Sequence, residues 1–176
     1  MRRSRFLAFA AVFVVASLFA VPGFSASTGT VASGTFGKVP WTLSATDAAD
    51  GHVCITMTIH QKPTDRSAEC GSIFGPQAGR AHGITYLAHT GAPAPDYIVG
   101  PVIARAKSVV IALPNRKTIR TRTVVPPKGM TAKIVFYVAK LPCPTLPTSV
   151  HGLDAGGRVV AHLAIPQLKP RGKPTC

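Results

Sequence analysis

His52-Val53-Cys54-Ile55-Thr56-Met57-Thr58-Ile59-His60 decides the fold class. Val53, Ile55, Met57 and Ile59 alternate with polar residues over nine positions, the period of a half-buried β-strand. Upstream, Val39 to Thr46, with Trp41 and Leu43, reads as a second strand. The segment between them, Asp47-Ala48-Ala49-Asp50-Gly51, has the residue types of a turn, so the two strands form a hairpin. Cys54 lies on the polar face with Thr56, Thr58 and His60. That position suits a disulfide to the loop that follows.

The same alternation recurs downstream. Strands are expected at Gly83 to His89, Tyr97 to Ile103, Ser108 to Leu113, Thr118 to Val125, Lys133 to Ala139, Thr148 to Leu153 and Arg158 to Ile165. Turn residues separate them: Gly91-Ala92-Pro93-Ala94-Pro95, Pro114-Asn115-Arg116-Lys117, Pro126-Pro127 and Asp154-Ala155-Gly156-Gly157. Gln61 to Arg80 is polar and broken by Pro63, Gly71, Gly75, Pro76 and Gly79, and reads as a long connection held at Cys70. No stretch after residue 27 sustains an apolar helical period for three turns. The expectation is an all-β chain: an immunoglobulin-like β-sandwich of about seven to nine strands, following an N-terminal signal helix.

Residues 1–27 carry that signal. Arg2, Arg3 and Arg5 precede an apolar run from Phe6 to Val21, and Pro22-Gly23-Phe24-Ser25-Ala26-Ser27 supplies small residues for cleavage after Ser25 or Ser27. Sixteen helical residues would span roughly 24 Å, short of the ~30 Å hydrocarbon core, so a cleaved signal is favoured over a stable membrane span. The domain plan is therefore a signal peptide at 1–27, a β-sandwich at 28–165 and a basic, proline-rich tail at 166–176. Secreted or extracellular localisation follows, with association to the cell envelope as an extension of it.

Cys54, Cys70, Cys143 and Cys176 all fall beyond the signal, an even number in an oxidising compartment. Three pairings are open. Cys54 with Cys70 and Cys143 with Cys176 are favoured because each pair closes a segment rich in loop formers.

A resemblance adds to this reading. Trp41-x-Leu43, Asp50-Gly51-His52-Val53-Cys54, Glu69-Cys70-Gly71, Gly100-x-Val102 with Lys107-Ser108-Val109, Phe136-Tyr137-Val138-Ala139-Lys140-Leu141-Pro142 and Leu153-Asp154-Ala155-Gly156-Gly157-Arg158-Val159 stand in that order. Over about 120 residues the pattern resembles a group of small secreted proteins of high-GC Gram-positive bacteria. The resemblance implies an immunoglobulin-like sandwich and a Cys54–Cys70 bridge, and it carries no activity. Cys143, Cys176 and the turn Pro114-Asn115-Arg116-Lys117 depart from the group's pattern.

Charge is the functional clue in the exported part. Residues 28–101 hold Lys38, Lys62, Arg66 and Arg80 against Asp47, Asp50, Asp65, Glu69 and Asp96, whereas residues 102–176 hold thirteen cations and only Asp154. Arg116, Arg120 and Arg122 share one parity, Lys117 sits at the turn, and Lys128 and Lys133 extend the field; these six form the expected anion-binding face. Such a face attaches to anionic cell-wall polymer or lipid head groups by electrostatics. The same charge would also serve solubility alone. Nucleic acid is expected only as a nonspecific partner, because the basic segment lacks exposed aromatics interleaved for base stacking.

Catalytic and metal chemistry are poorly supplied, and the expectation is a protein without catalytic residues, metal or cofactor. His52 and His60 would stand about 27 Å apart on an extended strand. His151 and His162 flank the last hairpin near Asp154, and strand register decides whether their rings meet. Ser149, His151 and Asp154 are close in sequence, but no Gly-x-Ser-x-Gly elbow is present. The alternative function is a small secreted hydrolase or metal-dependent enzyme with its site in these loops.

Overall fold

The quoted segment forms the third strand of a four-stranded antiparallel meander. The computed structural model describes residues 27–47, 52–73, 81–91, 93–130, 133–142 and 146–167. The signal segment before Ser27, the turn at 48–51, Cys143, Cys176 and the tail from residue 168 lie outside the described residues.

Strands β1 (Ser27–Phe36), β2 (Val39–Asp47), β3 (His52–Ile59) and β4 (Asp65–Ser72) pair in chain order. Leu43 stands opposite Met57 and Ala45 opposite Ile55, so the alternation of β2 and β3 fills one face. Val53, Ile55, Met57 and Ile59 are all buried, each fully covered side chain contributing about 1.5–3 kcal/mol. The expected β2–β3 hairpin is present.

Two of these strands are absent from the sequence reading. β1 is rich in Gly, Ser and Thr, and a bulge between Thr30 and Ala32 breaks its alternation. Gly34 admits the Trp41 ring across the ladder; a Cβ there would lie 2.8 Å from Trp41 Cζ2. β4 replaces much of the connection expected at Gln61 to Arg80. Its sequence DRSAECGS has no apolar stripe because it is an edge strand with no fully buried side chain. Cys54 and Cys70 are direct cross-strand partners and form a disulfide. The bridge thus joins two adjacent strands on the outer face of one sheet, and not a strand to a loop.

The remaining strands are β5 (Ala81–His82), β6 (Leu87–His89), β7 (Tyr97–Ile103), β8 (Ser108–Ala112), β9 (Thr118–Arg122), β10 (Ile134–Lys140), β11 (Ser149–Leu153) and β12 (Val159–Ala164). They form a three-stranded sheet, β10-β7-β6, and a five-stranded sheet, β5-β12-β11-β8-β9. Of the strand expected at Gly83 to His89, only Leu87 to His89 forms a strand, in the middle sheet, while Ala81–His82 just before it joins the five-stranded sheet. Gly83 takes φ +73° and Ile84 bridges Val102, so the chain leaves β5 and crosses to the middle sheet. β9 does the same: after Arg122, Val124 pairs with Phe136 of β10.

β7 and β10 bury both faces. Tyr97, Val99, Ile134 and Phe136 pack against the four-stranded sheet, while Ile98, Val102, Val135 and Tyr137 pack against the five-stranded one. Their near-continuous apolar sequences are those of strands covered on two sides. The all-β sandwich holds, with twelve strands among the described residues and three layers in place of the expected two.

Candidate anion-binding face

The charge asymmetry of the sequence maps onto the layers. Lys38, Lys62 and Arg66, with Asp47, Asp65 and Glu69, belong to the four-stranded meander and its turns. Arg105, Lys107, Arg116, Lys117, Arg120, Arg122 and Arg158 belong to the five-stranded sheet and its turns. One outer layer is close to neutral and the other is basic.

The expected basic face is divided along β9. Thr118, Arg120 and Arg122 are exposed while Ile119 and Thr121 turn inward. Arg116 and Lys117 stand in the β8–β9 turn, and Arg122 stands at the opposite end of β9, about 13 Å from Thr118 at strand rise. Arg120 is partly committed: its Nε and Nη2 donate to Ser108 Oγ at 3.3 and 3.1 Å. Lys128 is exposed in the turn after β9. Lys133 is exposed just before β10, and its carbonyl accepts the Ala104 amide.

A second group of cations gathers at the Arg122 end. Ile103 to Lys107 turns tightly, the Ala106 amide donating to Ile103 O, and Lys107 is tied to Leu153 and Thr123 through its backbone. These bonds bring Arg105 and Lys107 beside the β11–β12 turn. A shallow cleft of about 540 Å³ is lined by Ala104, Arg105, Lys107, Asp154, Ala155, Gly156 and Arg158. Asp154 does not neutralise it freely: Oδ1 accepts the Gly156 and Arg158 amides, and Oδ2 accepts Arg158 Nε at 3.1 Å. The Arg158 amide, followed by the Arg158 side chain, holds the Asp154 carboxyl below the usual carboxylate range. Sequence spacing does not group Arg105, Lys107 and Arg158. Their convergence depends on β8 and β11 being neighbours, which no local spacing reveals.

Of the candidate catalytic residues, Ser149 and His151 meet while Asp154 stands apart. Ser149 Oγ and His151 Nε2 lie 2.9 Å apart on the outer face of β11, but Asp154 is occupied by its own turn. His89 offers a second arrangement, with Nδ1 3.6 Å from Asp65 Oδ2, Nε2 donating to Gly91 O at 3.0 Å and the ring stacked on Tyr97. Both ring nitrogens face acceptors, so the cluster fastens β4 to β6 and leaves neither nitrogen directed at a hydroxyl nucleophile. Among the described residues no three His, Cys, Asp or Glu side chains are grouped to hold a metal ion, and no helix is long and apolar enough to cross a membrane.

Comparison with protein-family models, with curated proteins and with solved structures gives no match. The reading of function therefore rests on the chain's own chemistry.

Proposed function

We propose that this chain is a secreted, non-enzymatic β-sandwich module that attaches electrostatically to anionic polymer of the cell envelope. The observation that carries the reading is the division of charge between the outer layers, one near neutral and the other supplying exposed Arg105, Lys107, Arg116, Lys117, Arg122 and Arg158. Cations spread over a sheet face and its adjoining turns suit a repeating polyanion better than a small ligand, because each contact is weak alone and screened by salt.

The signal segment and the resemblance to secreted proteins of high-GC Gram-positive bacteria support export. Cleavage after Ser25 would leave β1 whole, since that strand begins at Ser27. Anionic lipid head groups share the phosphate chemistry, and nucleic acid would bind only through its backbone. Sedimentation of the purified protein with phosphate-bearing wall polymer, anionic vesicles and duplex DNA across a salt series tests the proposal. Salt-sensitive retention by wall polymer, exceeding that by the other two, is the expected result. Absence of retention at physiological salt would assign the charge to solubility.

A further inference from the structure

Two turns meet at the Arg122 end of the five-stranded sheet and hold three cations around one cleft. In the first turn Ala106 is buried, and Arg105 and Lys107 on either side of it are exposed. The backbone of this turn is fastened to three other segments: the Ala104 amide donates to Lys133 O at 3.0 Å, the Lys107 amide to Leu153 O at 2.7 Å, and the Thr123 hydroxyl to Ala106 O at 3.1 Å. Gly152 of β11 lies against it, since a Cβ there would stand 3.2 Å from Ala106 Cβ. In the second turn the Asp154 carboxylate is held by its own backbone, Oδ1 accepting the Gly156 and Arg158 amides at 2.9 Å each, and Oδ2 accepts Arg158 Nε at 3.1 Å. A fixed carboxylate therefore orients the Arg158 guanidinium. The side chain is 84% exposed, and that bond uses one of its five donors.

We propose that this cleft seats a single phosphomonoester group of the anionic polymer, with Arg105, Lys107 and Arg158 as its ligands and Asp154 as a positioning residue. The inference rests on the attachment reading for the polymer and adds the group that the protein grips. Charge selects the ester class. Three cations against one carboxylate leave two positive charges around a cleft of about 540 Å³. A phosphomonoester balances them with its charge of about −1.5 to −2 at pH 7, whereas a diester carries a single charge. Shape agrees with charge: a monoester has three terminal oxygens, one for each cation, and a diester or a carboxylate has two. The guanidinium of Arg158 offers a planar fork and Lys107 a point charge, the two modes by which proteins hold phosphate. The cleft is shallow, so the ester oxygen leaves toward solvent with the rest of the polymer attached. Arg116 and Lys117, at the far end of β9, add to the general field and not to this grip.

Titration of methyl phosphate, dimethyl phosphate and acetate into the isotope-labelled protein, followed by nuclear magnetic resonance, tests the site. Methyl phosphate should shift the Lys107, Gly156 and Arg158 amides saturably, with a dissociation constant on the order of millimolar because the contacts are exposed. Dimethyl phosphate and acetate should bind about 5-fold more weakly or less. Arg105→Gln, Lys107→Gln and Arg158→Gln should each weaken methyl phosphate binding by about 2- to 5-fold, and Arg116→Gln should leave it unchanged. Asp154→Asn should weaken it by about 2-fold although it removes a negative charge, and the Arg158 Nε–H signal should move as the guanidinium is released. Asparagine keeps the acceptor for the turn amides, and an unchanged Gly156 amide signal in the free variant verifies the turn. The site is overturned if wild type shows no saturable shift with methyl phosphate or if dimethyl phosphate binds as tightly; tighter binding by Asp154→Asn overturns the positioning role. Sedimentation with wall polymer separates the two readings. Salt-sensitive retention without a methyl phosphate shift overturns the cleft and leaves attachment standing, whereas a methyl phosphate shift without retention overturns attachment and the polymer as the source of the ester.

Discussion

The Arg120 guanidinium caps Ser108: two donors reach one hydroxyl oxygen on the adjacent strand, at 3.3 and 3.1 Å. Ser108 is a buried polar residue, 7% exposed. Arg120 thus serves the sheet as well as the field. Arg120→Gln should lower stability by about 1 kcal/mol through the lost hydrogen bonds, whereas Arg122→Gln should leave it nearly unchanged. Urea unfolding of the two variants measures the difference.

The turns Leu113 to Lys117 and Asp154 to Arg158 share one hydrogen-bond pattern, with the fourth residue bonding back to the first. Gly157 takes φ +80° in one turn and Arg116 takes φ +62° in the other. A Cβ is unfavourable in that region, so Arg116→Gly should raise stability by roughly 0.5–1 kcal/mol, net of glycine's larger unfolded-state entropy. A higher denaturation midpoint at unchanged slope is the expected outcome.

Close approach at Gly100 couples the two central strands to the crossing segment. A Cβ at this position would overlap the Thr85 carbonyl oxygen, which also accepts the Tyr137 hydroxyl at 3.0 Å. Gly100→Ala should cost about 3 kcal/mol, the upper end of overpacking penalties. Thermal unfolding checks this, and Gly157→Ala should cost less because its surroundings are open.

All three tyrosines of the chain are held above the ordinary phenol range, chiefly by burial. A raised phenol pKa means that the folded state favours the neutral form. Their contribution to stability is present below about pH 10 and is lost as pH rises through the folded values. Absorbance of tyrosinate in native protein should therefore lag behind that of urea-unfolded protein, and alkaline unfolding should coincide with its appearance.

Much of the fold is legible because burial on one side leaves a period of two. Val53, Ile55, Met57 and Ile59 state the face, and the apolar run Tyr97 to Ile103 states a strand. The third layer is hidden for a related reason: a strand buried twice has no alternation to indicate what covers each face. β4 escapes detection because an exposed edge needs no apolar stripe, and β1 because small residues and a bulge blur its period. The site is legible as charge and not as geometry. Arg116, Lys117, Arg120 and Arg122 follow from one hairpin, whereas Arg105 meets Arg158 only through non-local strand order.

The location of charge, as opposed to its amount, is the central claim. Binding to phosphate-bearing wall polymer should be measured across salt for two variants of equal net charge: Arg105, Lys107 and Arg122 changed together to Gln, and Lys38, Lys62 and Arg66 changed together to Gln. Each phosphate contact contributes about 0.7–0.9 to the logarithmic salt slope through counterion release. The first variant should bind more weakly with a shallower slope, while the second should retain the wild-type slope. Equal weakening in both variants, or a wild type whose binding is insensitive to salt, would contradict the account.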